Sequence, residues 1–420
     1  MRFTTFACRL ASLCLAWAAF SSPAEDLFQV DASSSNPPGP SFSVTGNSLV
    51  NLVQDLINAQ GQFQALSSSQ NFNATLRYGT INNALSFSVF NSGTAWQAQL
   101  STPFQYGLIS RTFTAPTQSA LDSVIKDYFK SSGSSDLAKF LAAVNQNSAA
   151  GVMDGNPSAA TAHASDLAFN MYAFGATDTA AESSDDNQDK TGSSGFSMTG
   201  EAGTFSSKGL HGSTYSWTPM IPFALGEARR VRLEVALPLS YTKIGGGDEY
   251  SAGLQLAVPV LICKHTKIQP WTWQVTPLGG AVAAGSLDLV AGGVIVEGGL
   301  ASYTSYHWHA WEFSMGNAAV CYEGIKLNIS GYSLDPNVSQ QILKNGLKIG
   351  RQLGQHWYAE AYAIDTEFVQ AAFTPRYTTL GVGVGYRGRK GKGFLMLGGY
   401  TDIAPSYSGA KLQFGTGWKF

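Results

Sequence analysis

Residues 230–242 read RVRLEVALPLSYT. Val231, Leu233, Val235, Leu237, Leu239 and Tyr241 share one parity, and Arg230, Arg232, Glu234, Ala236, Pro238, Ser240 and Thr242 share the other. Successive side chains of a strand point to opposite faces, so the stretch is a strand with one continuous apolar face and one small or polar face. Soluble strands usually end after about five or six residues, whereas a tilted strand that crosses a bilayer needs roughly 9 to 11. The apolar face therefore suits lipid. Arg230, Arg232 and Glu234 then line a lumen, where they either form a salt-bridged filling or set an ion preference.

The design repeats outward from there. Tyr250, Ala252, Leu254, Leu256, Val258, Val260 and Ile262 stand opposite Ser251, Gly253, Gln255, Ala257 and Pro259, and Thr378, Leu380, Val382, Val384 and Tyr386 stand opposite Tyr377, Thr379, Gly381, Gly383, Gly385 and Arg387. Lys344, Lys348 and Gln352 continue a polar face in another strand. Alternating runs from 195 to 420 number about 12, an antiparallel barrel with a narrow interior; a wide pore needs nearer 16 strands, so side chains or an inserted N-terminal segment fill this one. Trp271, Trp273, Tyr303, Tyr306, Trp308, Trp311, Trp357, Tyr358, Tyr362 and Tyr400 lie toward strand ends, as aromatic girdles would.

Composition agrees with a membrane surface. The chain has 45 glycines, 12% aromatic and only 13% charged residues, where soluble proteins carry about 25% charged residues. Beyond the N-terminus nothing approaches the roughly 20 continuous apolar residues of a spanning helix, so crossing by strands is the remaining route. The net charge of −2 supplies no basic field for nucleic acid.

Arg2 and Arg9, the apolar run Leu10–Phe20 and Ser22-Pro23-Ala24 form an export signal over 1–24 with cleavage after Ala24. Leu13 is too bulky for a lipoprotein signal at Cys14. Cys263 and Cys321 remain, as a disulfide or two buried thiols. Residues 25–44, with Ser33-Ser34-Ser35 and Pro37-Pro38-Gly39-Pro40, read as a flexible linker. Residues 45–175 read as a small α+β unit: a helix from Leu49 to Ile57 behind an Asn47 or Ser48 cap, a hairpin between Asn73 and Ser101, and helical spacing at Leu121–Phe129 and Leu137–Val144. The acidic stretch 176–194 reads as a solvated linker, without the ligand spacing of a calcium loop.

Leu412, Phe414, Thr416, Trp418 and Phe420 alternate to the last residue. Alternation alone equally suits a soluble β-sandwich or a lipocalin-like barrel, but a terminal Trp-Lys-Phe suits a membrane surface better. This segment resembles the closing strand of the Gram-negative outer-membrane β-barrel family, which ends in phenylalanine with an aromatic residue two positions before. Phe414, Trp418 and Phe420 fit that pattern, and Thr416 stands where an apolar residue is usual. The resemblance implies insertion by the barrel assembly machinery into outer-membrane lipid. Linker, small unit and C-terminal barrel together are similar to autotransporter-type proteins, although the unit lacks a long repeated β-helix.

His307-Trp308-His309 places two imidazoles at alternate positions beside Ser305 and Glu312. They are weak candidates for a metal site or a lipid-modifying enzyme, because no third ligand, orienting partner or Gly-x-Ser-x-Gly elbow accompanies them. The residues imply no cofactor. The leading expectation is a non-enzymatic anchor displaying the N-terminal unit to an extracellular or periplasmic partner; a narrow channel with an N-terminal plug is the alternative.

Overall fold

The computed structural model describes residues 26–36, 38–48, 51–52, 54–55, 71–102, 109–130, 136, 139–140, 143–144, 146–174, 195–225, 230–266, 268–289, 291–329, 332–334, 336–388 and 393–419. The export signal, the acidic linker 176–194 and Phe420 lie outside the described residues, as do parts of the Leu49–Ile57 and Leu137–Val144 helices.

Six strands form the N-terminal sheet: β1 (Phe28–Asn36), β2 (Pro38–Gly46), β3 (Asn71–Tyr78), β4 (Ile81–Asn91), β5 (Trp96–Ser101) and β6 (Ser110–Ala115), in the order β2-β1-β3-β4-β5-β6. The stretch 25–44, expected as linker, is instead mostly a β-hairpin. Its serines and prolines hide the alternation of Phe28, Val30 and Ala32, and β1 gains ladder partners on both sides, from β2 and β3. Ser48 caps a short helix by accepting from the Asn51 backbone N–H at 3.1 Å. Helix α1 (Gln118–Lys130) packs on β5 and β6 through the buried Leu121.

The second sheet closes on itself. Its strands are β7 (Gly195–Ser207), β8 (Leu210–Leu225), β9 (Val231–Ala236), β10 (Leu239–Ile244), β11 (Gly247–Ala257), β12 (Val260–Cys263), β13 (Trp271–Ser286), β14 (Ala291–Trp308), β15 (Trp311–Ile325), β18 (Ser339–Gln352), β19 (Trp357–Phe368), β20 (Arg376–Arg387), β21 (Gly393–Ala404) and β22 (Tyr407–Lys419); the small hairpin β16 (Leu327–Ile329) and β17 (Tyr332–Leu334) lies between β15 and β18. Among the described residues the closed sheet has 14 strands. β8 runs unbroken beside both β9 and β10, and β13 beside both β11 and β12. Each pair is thus one stave interrupted at Pro238 or Pro259, which lack a ladder N–H, and the fourteen segments make twelve staves. β22 pairs with β7 from Tyr407↔Ser207 to Lys419↔Gly195. Both ends of the barrel sequence therefore meet at one rim, here called the near rim.

The outer surface is apolar. Leu237, Leu239, Leu254 and Leu256 are exposed, and Val231, Leu233, Val235, Val258 and Val260 are half-buried at the same parity. A side chain of that kind gains nothing from facing water, and a ring of them is what a bilayer core requires. Trp271, Trp308, Trp357 and Trp418 are exposed close to the near rim, while toward the far rim Tyr215 stacks on Tyr241 at a centroid distance of 6.1 Å and Tyr241 meets Tyr250 in a tilted contact at 5.2 Å. Tyr303, Tyr358, Tyr362 and Tyr400, expected in the girdles, have the opposite parity and point inward. Cys263 is half-buried and Cys321 exposed, both as free thiols, so neither expected cysteine state is observed.

Candidate functional site: the filled lumen

A segment expected within the N-terminal unit lies instead inside the barrel. Helix α2 (Ala160–Ala168) runs into a π-helical turn at Phe169–Ala173, closed by the Phe174 N–H donating to the Phe169 carbonyl at 3.1 Å. Its sequence, ATAHASDLAFNMYAF, opens with small side chains. A helix about 10 Å across enters a twelve-stave lumen only where its own side chains and those of the wall are small. Gly316 on β15 and Gly346 on β18 are direct register partners. A β-carbon at Gly316 would collide with the Ala173 carbonyl, and one at Gly346 with the Phe174 and Phe169 rings. The lumenal glycines thus form a seat for the π-helical turn.

Polar tethers run the length of this plug. Asp154, just before α2, accepts from Thr161 Oγ1 at 2.8 Å and from Gln340 Nε2 at 3.1 Å, at the far rim. Burial pushes the Asp154 carboxyl above its ordinary value. Lower down, Lys344 Nζ donates to Asp166 Oδ1 at 2.6 Å, Thr366 Oγ1 at 2.9 Å and the Tyr377 hydroxyl at 3.2 Å. Toward the near rim, Lys348 Nζ donates to the Phe174 carbonyl at 2.7 Å, stands 3.8 Å from Glu360 and lies over the Phe174 ring. The helix is therefore threaded from one rim toward the other. Cavities beside it include two of about 40 Å³ each, one lined by His163, Asp166 and Glu201, the other by Asn170, Lys348 and Glu360. A volume of that size holds a few water molecules.

The far mouth is covered by the N-terminal unit. Residues 148–160 are buried throughout, and Gly155 takes a φ of +93° where a β-carbon would strike the Gln146 carbonyl. The Tyr78 hydroxyl donates to the Leu289 carbonyl at 3.0 Å in the β13–β14 turn, Gln146 Nε2 to the Asn337 carbonyl at 3.0 Å, and the Thr374 N–H to the Gly155 carbonyl at 2.9 Å.

Of the residues expected in the lumen, Arg232 and Glu234 pair at 3.4 Å, and Arg232 also donates to Gln274 at 3.1 Å. Lys348 faces the plug. Arg230 does not line the lumen: it sits just before β9, exposed at the near rim, because the strand begins one residue later. At the closing strand, Phe414 and Trp418 are exposed on the outer face. Thr416 is tolerated there because its hydroxyl donates to the Phe394 carbonyl at 3.1 Å. His307 stacks on His265 at 4.4 Å and lies 3.2 Å from Ser305 Oγ, whereas His309 sits in the β14–β15 turn with a φ of 55°. Glu312 accepts from Tyr303 and Ser314 at 2.7 and 2.8 Å, and Ser305 is buried inside the wall. Among the described residues no group of three or more His, Cys, Asp or Glu is arranged to hold a metal ion.

The sequence raised an N-terminal plug as an alternative but did not identify 160–174 as the segment that forms it, nor its glycine seat. The signal present was the run of small residues from Ser158 to Ala168, together with the lumenal glycines of staves otherwise rich in large outward side chains.

No protein-family model and no curated protein sequence matches the chain. Solved structures with a similar barrel include the beta domain of the Bordetella autotransporter Brka, at 11% identity and a TM-score of 0.39 over 54% of this chain and 98% of that one. The translocator domain of autotransporter NalP from Neisseria meningitidis matches at 15% identity and a TM-score of 0.36 over 62% and 97%. An outer membrane channel from Pseudomonas putida F1 matches at 13% identity and a TM-score of 0.41 over 56% and 97%.

Proposed function

We propose that this outer-membrane-type barrel is a plugged anchor, autotransporter-like in layout, that holds its N-terminal unit at the outer mouth. The observation that carries the reading is the threading of α2 and the π-helical turn through the lumen. The unit lies at the far rim, while β7 begins at the rim where β22 ends. With the C-terminus on the periplasmic side, the N-terminal unit is on the cell surface. Export by the 1–24 signal and insertion guided by Phe414, Trp418 and Phe420 belong to this proposal, as does work done by anchoring rather than catalysis. Protease treatment of intact cells, followed with separate antibodies to the two halves, tests it. Loss of the 26–146 part with a protected barrel is expected; protection of both halves until the outer membrane is opened would refute surface display.

A second reading rests on the same plug. Ion pairs and single hydrogen bonds hold α2 by side chains that water can also solvate, so a channel that opens when α2 leaves is the alternative, and conductance measurements separate the two.

A further inference from the structure

The outer face is not uniformly apolar. Ser302, Asn317 and Asn345 are successive register partners across β14, β15 and β18, all at outward parity. Each stands six residues from Trp308, Trp311 or Arg351 at the near-rim interface, where the Arg351 guanidinium stacks 4.8 Å from the Trp311 ring centre. Six residues of a strand tilted near 45° climb about 14 Å, which is the middle of an apolar belt about 25 Å tall. Ser302 accepts from the Trp273 indole at 3.3 Å. Asn317 and Asn345 make no side-chain hydrogen bond among the described residues, and Asn345 is exposed. An amide without a hydrogen-bond partner in hydrocarbon is strongly disfavoured, because nothing there replaces the water it has lost. Two side by side need an occupant.

We infer that this face is a lateral interface with a second copy of the same chain. An asparagine amide is donor and acceptor at once, so a two-fold axis that brings Asn317 of one copy against Asn345 of the other satisfies both pairs with one operation. Ala319 on β15 and Ala359, Ala361 and Ala363 on β19 leave room for close approach beside the exposed Met315 and Leu347, and Asp365, the register partner of Asn345 on β19, is held by Arg376 at 2.8 Å; Leu and Val dominate the corresponding positions of β9 to β12. In lipid, where apolar contact alone gives no preference for protein over acyl chain, small residues and polar pairs are what favour association.

The test uses the full chain reconstituted in lipid nanodiscs large enough for two barrels, with dimer counted by single-molecule photobleaching. Wild type is expected to be mainly dimeric, and the Asn317→Leu/Asn345→Leu variant monomeric, with the dimer fraction reduced at least tenfold. Heat-modifiable migration on gels checks that the variant is folded. In a Cys263→Ser/Cys321→Ser background, co-expressed copies carrying Asn317→Cys alone and Asn345→Cys alone are expected to cross-link in native membranes under mild oxidation; the cysteines are kept in separate copies because 317 and 345 are register partners within one chain. A wild type that is monomeric in bilayers overturns the inference. So does a dimer whose fraction the folded leucine variant leaves unchanged, since the contact is then elsewhere.

Discussion

Replacing Lys344 by methionine tests the plug most directly. The ammonium is almost fully buried, and in the wild type it faces Asp166, Thr366 and Tyr377. Methionine keeps most of the volume but removes the ammonium that pairs directly with the Asp166 carboxylate, leaving Lys411 as a more distant positive charge. Breaking a buried ion pair in this way costs about 3–5 kcal/mol. The Asp166 side chain keeps 18% of its exposure against 2% for Lys344, so water recovers part of that and the low end, about 3 kcal/mol, applies. The penalty falls on the docked plug alone, since an undocked Asp166 is hydrated. At 1.36 kcal/mol per factor of ten, the undocked fraction rises about a hundredfold. Planar-bilayer recordings should therefore find rare openings in the wild type becoming about a hundred times more frequent. Adding Asp166→Leu removes the orphaned charge and should return the frequency to within about tenfold of wild type. An unchanged frequency in Lys344→Met, or a double variant as open as the single one, would refute the assignment of Lys344 as the latch.

Gly316→Val places a side chain where the Ala173 carbonyl lies; overpacking of this sort costs about 1–3 kcal/mol, and protease sensitivity of the 160–174 segment should increase while the barrel stays heat-modifiable. Leu254→Arg, on the lipid face, should lower barrel stability by about 2–4 kcal/mol in denaturant titrations from vesicles; no loss would mean that this face does not meet lipid. In the N-terminal unit, the Tyr128 hydroxyl, followed by Arg111, holds Asp136 below its ordinary value. Its folded pKa is depressed, so its contribution is present above about pH 4 and is lost as pH falls through the folded value. Asp136→Asn should flatten the acid limb of the unit's unfolding curve, and an unaltered limb would remove Asp136 from the account. Phe414→Ser with Trp418→Ser should reduce the folded, membrane-inserted fraction in cells, whereas Thr416→Ala, which loses one hydrogen bond to the backbone, should change stability by about 1 kcal/mol or less.

The staves were legible because lipid on one side and protein on the other impose a period of two, as 230–242 and 250–262 illustrate. Depth was less legible than parity: Tyr303 and Tyr400 sit near strand ends like Trp271, but their odd or even place in the stave sends them inward. The hairpin at Phe28–Gly46 was hidden because backbone pairing, not side-chain pattern, holds its serine-rich strands. An inserted N-terminal segment was foreseen as one way to fill the lumen, but which segment enters was hidden for a different reason. Its apolar and polar residues answer to barrel positions far along the chain, as with Asp166 and Lys344, 178 residues apart, so no local period identifies where it goes.

Threading also fixes a direction of mechanical resistance. From Ala160 to Phe174 the helix extends about 22 Å at 1.5 Å per residue, close to the height of the apolar belt. A pull on the N-terminal unit along the barrel axis would first work against the rim contacts at Leu289, Asn337 and Thr374. Once those part, the load shears Asp166 past Lys344 and Phe174 past Lys348, and the π-helical turn must clear the Gly316–Gly346 seat. Tension is then borne in series along the bore, passing to the wall first at the rim turns and then at β15 and β18, which hold the seat and both lysines.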